Sequence, residues 1–374
     1  MRILITNAYL DGYAGTQVVV RDLALELRRQ GHEPIAYSPR LGILAAELRD
    51  SGVTVIDQLS CLHDAPDIIH GQHYPAIEAL LRFPTTPAIY VCHSSVVGYV
   101  EAVPYFPRIL RYVAVDDLCK KRVENVCGVT AERIRVLPNA VDLERYRQRP
   151  PLPGKPRRAL VFSNNASNAT HLRAVRKACR HAGLQLDVLG ALSGNPVPNP
   201  EAFLSRYDIV FAKARCALEA LAVGNAVVLC DFKGLGPMVS TKNFDHLRPM
   251  NFGHGLLVNP LRPELIEEEI ERYDAADAAA VCQRVRQEAG LAEAVRRWTG
   301  LYADVIEEFR GSGSDHEEEL RALASYLTEW SYARRVEWER DQLKQLGSVP
   351  LIGRTLVYVA RGLTRKWFSM YGTP

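Results

Sequence analysis

The sequence predicts an α/β protein of two doubly wound parallel-sheet domains followed by a C-terminal helical extension. Three observations carry this. Short Val/Ile/Leu-rich runs alternate with segments of helical spacing from the first residues onward, which is the grammar of βαβ units. Several of those runs are apolar on both sides, as strands must be when helices cover both faces of their sheet. The alternation stops at 149–156, RPPLPGKP, where four prolines and a glycine can continue neither element, and then restarts.

In the first unit, residues 1–148, the runs at 2–7, 34–38, 53–57, 67–70, 88–93, 112–115 and 134–138 read as strands. Val18, Val19, Leu23, Leu25 and Leu27 give the first helix an apolar face, and Gly31 stops it. In the second unit, 157–310, ALVFSN, LQLDVLG, DIVFAK, AVVLCD and GLLVN read as strands, with helices among them at 169–182, 216–223 and 261–273. A helix carrying Ala294, Trp298, Leu301, Tyr302 and Val305 on one side is expected to close this second domain near Phe309. The extension, 311–374, opens on the joint Gly311-Ser312-Gly313-Ser314, and Ser314 with Glu317 forms a capping-box pattern for a long helix. Leu320, Leu323, Leu327 and Trp330 repeat at heptad-like spacing until Arg334 and Glu337 break the seam. That reads as a helical hairpin arm or a short coiled coil, able to join copies into a homo-oligomer through 315–346.

Composition removes several function classes. The hydrophobic fraction of 47% and charged fraction of 24% are those of globular proteins, so disorder and fibrous repeats do not fit. A net charge of +3 on 374 residues is too weak a field to make nucleic acid the main ligand. The eight cysteines include no C-x-x-C pair, so neither a zinc ribbon nor a disulfide scaffold is expected. The opening apolar run is too short for a signal-peptide core, and there is no uncharged apolar run of about 18 residues. The expected place is cytoplasmic, at most peripheral on the inner face of the membrane. In 350–371, Ile352, Leu356, Val359, Leu363, Trp367 and Met370 share one helical face, opposite Arg354, Arg361 and Arg365. This is either an interfacial helix on an anionic membrane surface or a helix packed on protein.

Neither a G-x-x-x-x-G-K-[ST] loop nor a G-x-G-x-x-G turn occurs. After the first strand stands NAYLDGYAGTQ, whose glycines lead into a helix with free N–H groups. They suit an anion or polar ligand, or a plain strand-to-helix connection. Five segments taken in order are more specific. AGTQVVVRDLALELRRQGHEP, DIIHGQHYPA, VCHSSVVGY, RYVAVDDLCKKRVENVCGVTAERIRVLPNAVDLERY and CALEALAVGNAVVLCDFKGLGPMV resemble the successive motifs of family 4 glycosyltransferases across residues 1–309. The resemblance implies the GT-B architecture, two Rossmann-like domains facing across a cleft. It places a nucleotide-sugar donor on the C-terminal domain and a glycan or lipid-linked glycan acceptor on the N-terminal one. It further implies retention of anomeric configuration without an enzymic nucleophile. No cofactor is implied, the nucleotide sugar being a substrate, and no metal.

Transferring a sugar from a nucleotide loads negative charge onto the departing diphosphate, so cationic or N–H donors must meet it. Family members use an Arg and a Lys after the first strand of the second domain, where this chain has VFSNNASNATHLR. Ser163 and Asn164 there offer neutral donors only. Lys213 and Arg215, at the start of the following helix, are expected to replace the missing charges, or else are surface cations. Glu219 matches the second glutamate of the family's Glu-x7-Glu pattern and its ribose-binding role, or is a paired structural carboxylate. The first glutamate is absent, Phe211 lying eight residues earlier. His93 is the catalytic candidate, because it follows a strand where the family approaches the donor sugar or acceptor; a structural histidine is the other reading. Gly15, Gly234 and Gly236 could bring backbone N–H groups to the donor, or serve turns. Two other classes stay open on sequence alone, a nucleotide-sugar epimerase and a non-catalytic binding or assembly protein of the same fold.

Overall fold

The computed structural model describes residues 1–95, 102–195, 197–312 and 315–347. Residues 2–136 build a seven-stranded, all-parallel sheet from β1 (Arg2–Thr6), β2 (Glu33–Tyr37), β3 (Thr54–Ile56), β4 (Ile68–Gly71), β5 (Ala88–Cys92), β6 (Ile109–Ala114) and β7 (Ile134–Val136). Between them run α1 (Gly15–Arg29), α2 (Ile43–Asp50), α3 (Pro75–Arg82) and α4 (Asp117–Glu124). The strand order is β3-β2-β1-β4-β5-β6-β7. The central strands bury both faces, β5 at every residue, as the runs of Val, Ile and Leu require.

The second sheet comprises β8 (Arg158–Phe162), β9 (Gln185–Leu189), β10 (Ile209–Ala212), β11 (Ala226–Asp231) and β12 (Gly234–Met238), in the order β12-β11-β10-β8-β9 with β12 antiparallel. Its helices are α5 (Leu172–His181), α6 (Glu201–Leu204), α7 (Ala214–Val223), α8 (Phe244–Leu247), α9 (Pro263–Glu271) and α10 (Ala275–Glu288). The fifth strand is not GLLVN, as the sequence suggested, but GLGPM, 21 residues earlier, in the hairpin after β11. The displaced segment lies across it, Leu235 and Asn259 exchanging backbone hydrogen bonds of 2.9 and 3.0 Å. Gly234 and Gly236 make this crossing feasible, because a Cβ on either would stand 2.5 and 2.8 Å from the carbonyl oxygens of Leu257 and Leu256.

The chain crosses between the domains twice, and the crossings pair. Val141 N–H donates to Ala289 at 2.9 Å and Leu291 N–H to Val141 at 2.9 Å. Thus α11 (Leu291–Ser312) begins already back at the first domain. Its Val295, Tyr302 and Val305 join the first domain's core, so the helix expected to close the second domain completes the first. α12 (His316–Gly347) follows, capped by Asp315, whose side chain accepts from the N–H groups of Glu317 and Glu318 at 2.9 and 3.2 Å. Ala322 and Tyr326 are buried against the first domain, with Leu323 and Trp330 packed beside them. The heptad-like set is therefore divided, for Leu320 and Leu327 point outward, 53% and 51% exposed. The basic segment 350–371 lies outside the described residues. No helix among the described residues is long and apolar enough to cross a membrane.

Strand order locates the cleft. In the first sheet the direction of winding reverses between β1 and β4, and in the second between β8 and β10. Loops diverge at such switch points and leave a crevice beyond the carboxyl ends of the strands. The loops after β1, β8 and β10 carry Gly15, Ser163, Asn164 and Lys213.

Candidate functional site

Between the domains lies a cavity of about 500 Å³, within the size range of small-molecule sites. The first domain contributes Gly12, Tyr13, Gly15 and Arg21; the second contributes Phe162, Asn164, Leu189, Gly190, Arg215 and Glu219 among others. Four of the residues singled out in the sequence, Gly15, Asn164, Arg215 and Glu219, thus line one cavity. Gly15 opens α1 without a side-chain cap, leaving the helix N-terminus at the cavity. Asn164 is oriented by its Oδ1, which accepts from Ala191 N–H at 3.2 Å.

At this cavity four charged side chains are buried together. Arg21 Nε donates to Asp22 Oδ1 at 2.8 Å, Arg215 Nη2 donates to Asp22 Oδ2, and Arg215 Nε donates to Glu219 Oε1 at 2.8 Å. Arg21 and Asp22 come from α1, Arg215 and Glu219 from α7, so Arg215 ties the two domains. Burial alone would push the Asp22 carboxyl up, but Arg215 and Arg21 outweigh it and hold the group below its ordinary value. Glu219 goes the other way, because burial outweighs the attraction of Arg215 and its carboxyl is raised above the usual 4.5.

The opposite shifts have a measurable sign. A carboxyl raised in the folded state holds its proton longer there than in the unfolded chain, so stability declines as pH rises from about 4.5 through the raised value and is level beyond it. Glu219→Gln lacks that decline. Its urea midpoint should gain on the wild type as pH rises through this window; a gap constant from pH 4.5 to 8 would show that Glu219 is not raised.

The other expected site residues lie around this centre. Lys213 is 29% exposed on its side chain, with Nζ 3.1 Å from Asp231 Oδ2. Asp231 is fully buried and gathers the loop after β8, accepting from Ser163 Oγ at 3.3 Å and Asn165 Nδ2 at 3.4 Å. Ser163 is therefore committed to the loop's own framework and stands behind the cavity wall. Lys213 and Arg215 each have a carboxylate partner, Asp231 and Asp22, and of the two only Arg215 is among the residues lining the interdomain cavity. Gly234 and Gly236 lie in β12, away from the cavity lining, where close packing explains them. His93 lines a separate cavity of about 40 Å³ together with His70, Asp22, Asn139, Arg215 and Trp298. Asp22 and Arg215 line this smaller cavity and Arg21, Arg215 and Glu219 the larger one, so the ion cluster borders both. His70, buried and joined through Nδ1 to Tyr302 Oη at 2.6 Å, is pushed down to about 3 by burial and then by His93, so it stays neutral.

Sequence reasoning did not single out Arg21, Asp22, Tyr146, Gly190 or Asp231. A signal existed for Asp22, which sits three residues after Val19 and beside Leu23 on the inward side of an apolar helix, where an uncompensated charge would be costly. Among the described residues, no group of three His, Cys, Asp or Glu side chains is placed to hold a metal ion.

Residues 13–145 match Glycosyltransferase Family 4. The fold is shared with a glycosyltransferase from Rickettsia africae, at TM-score 0.60 and 15% identity over 84% of this chain and 99% of that one. It is also shared with Anabaena HepE in complex with UDP and glucose, at TM-score 0.59 and 13% identity over 81% and 99%. A further similar structure is sucrose-phosphate synthase from Thermosynechococcus elongatus, at TM-score 0.51 and 13% identity over 82% and 100%. No curated protein matches the chain in sequence. The GT-B fold expected from the sequence is the fold observed.

Proposed function

We propose that this chain, whose residues 13–145 match Glycosyltransferase Family 4 and whose fold is GT-B, is a glycosyltransferase that moves a sugar from a nucleotide-sugar donor to a glycan or lipid-linked glycan acceptor. The observation that carries the reading is the interdomain cavity, where the glycine loop ahead of α1 meets Asn164, Arg215 and Glu219. Its apolar part, with Phe162, Leu189 and Val197, suits a base; Glu219 beside it suits ribose hydroxyls, which would donate to the carboxylate.

The diphosphate then lies toward the N-termini of α1 and α7, whose N–H groups and dipoles favour the charge that builds as the anomeric bond breaks. Lys213 immediately precedes α7 and adds a full charge. In this reading the reaction retains configuration and needs no metal. The departing phosphate oxygen takes the acceptor proton on the same face of the sugar, so that no side chain has to act as nucleophile. His93, after β5, is assigned to the sugar or acceptor side.

Calorimetric titration with UDP, GDP, ADP and CDP tests the donor site. One nucleotide should bind, and Lys213→Ala and Glu219→Ala should each weaken it roughly tenfold or more, the scale of a lost hydrogen bond to a charged group. Failure of all four to bind the wild type would remove the donor-site reading.

A further inference from the structure

The ion cluster under the cavity spans the two domains, and this determines where the donor site is completed. Glu219 and Arg215 belong to α7 of the second domain, yet the guanidinium that holds Glu219 is itself held by Asp22 of the first. All four charged groups are buried. Groups this buried lean on one another more than on water, so each side chain's direction depends on the others. Arg215 has two acid partners on different nitrogens, and its charge is reinforced by both.

We propose that Asp22 is a positioning residue of the donor site, which orients the Glu219 carboxylate through Arg215, so that a nucleotide binds at full strength only when the two domains are closed. The proposal rests on the donor-site reading above and adds to it a residue from the opposite domain that need not touch the nucleotide. Arg21 completes the arrangement by holding Asp22 Oδ1, which leaves Oδ2 for Arg215. Opening the cleft separates Asp22 from Arg215. Arg215 is then free to draw Glu219 elsewhere, and the ribose acceptor is misdirected.

Asp22→Asn tests this, because it keeps the shape of the side chain and removes its charge. The variant should bind the nucleotide found for the wild type at least tenfold more weakly, while its urea unfolding stays cooperative. Loss of folding alone would weaken binding too, so the deciding measurement is a double-mutant cycle with Glu219→Gln. If Asp22 acts through Glu219, Asp22→Asn/Glu219→Gln binds within about twofold of Glu219→Gln alone. Losses that multiply, or wild-type affinity in Asp22→Asn, overturn the proposal while leaving the donor site standing. A wild type that binds none of the four nucleoside diphosphates overturns both.

Discussion

Glu319→Ala should release α12 from the first domain. Arg108 is 1% exposed and spends its donors inside the fold: Nη1 on the carbonyls of Phe83 and Thr86 at 2.8 and 2.9 Å, Nη2 on that of Leu80 at 2.6 Å. The remaining N–H groups go to Glu319, Nη2 reaching Oε2 at 3.0 Å and Nε reaching Oε1. This carboxylate is the only anion among the groups bonded to it. Removing one partner of a buried pair strands the other charge, at a cost of about 3–5 kcal/mol. Few apolar contacts oppose release: among the described residues of α12, Ala322 and Tyr326 are buried and Leu323 and Trp330 packed beside them. The expected result is protease cleavage within 312–347 under conditions that leave the wild type intact, with a lowered urea midpoint. Glu319→Gln, which keeps hydrogen-bonding atoms but not the charge, should fall between the two. An unfolding free energy for Glu319→Ala within about 1 kcal/mol of the wild type would mean that the pair contributes little net stability.

The fold was legible because its information is local and repeated. Each strand of the first sheet announces itself as a short apolar run between helical stretches, and the proline-rich 149–156 interrupts the alternation. What local pattern could not convey is which domain a late helix joins. Val295, Tyr302 and Val305 show only that α11 has an inward side; the pairing of Val141 with residues 289–291 decides where that side lands. The hairpin β11–β12 was displaced for a related reason. GLGPM holds two glycines and a proline and looks like a turn, yet the glycines are required by the segment that crosses the strand.

The site divides along the same line. Gly15, Asn164, Arg215 and Glu219 reach the cavity because they follow strands at the two switch points, a feature that order along the chain encodes. The pairing of their charges is not encoded there. Whether Arg215 faces a phosphate or Asp22 depends on the approach of two domains, and the partner lies 193 positions away. The same holds for Lys213 and Asp231, which come together because β10 and β11 are neighbours.

Gly190→Ala should cost both stability and nucleotide binding, and for one cause. Gly190 follows β9 with φ of +153°, a backbone conformation that side-chain-bearing residues rarely adopt. A Cβ there would stand 1.9 Å from the Ser163 carbonyl oxygen and 2.5 Å from its carbon. Both are backbone atoms of the loop after β8 and cannot swing aside. Strain at such a position costs about 1–3 kcal/mol, and forcing the loops apart adds an overpacking cost of about 1–3 kcal/mol. The separation would act where Ser163 N–H donates to Leu189 at 3.0 Å and Asn164 Oδ1 accepts from Ala191. Those contacts set the wall shared by Asn164, Leu189 and Gly190, so the cavity loses its shape on the side assigned to the base. Gly194, four residues on, supplies the control: its φ is +75°, but nothing lies within 4 Å of the added carbon. Gly194→Ala should therefore show a backbone cost alone and keep the nucleotide. Unfolding midpoints and titration of both variants separate the cases. Equal losses in the two, or full binding by Gly190→Ala, would show that the contact between the loops after β8 and β9 does not shape the site.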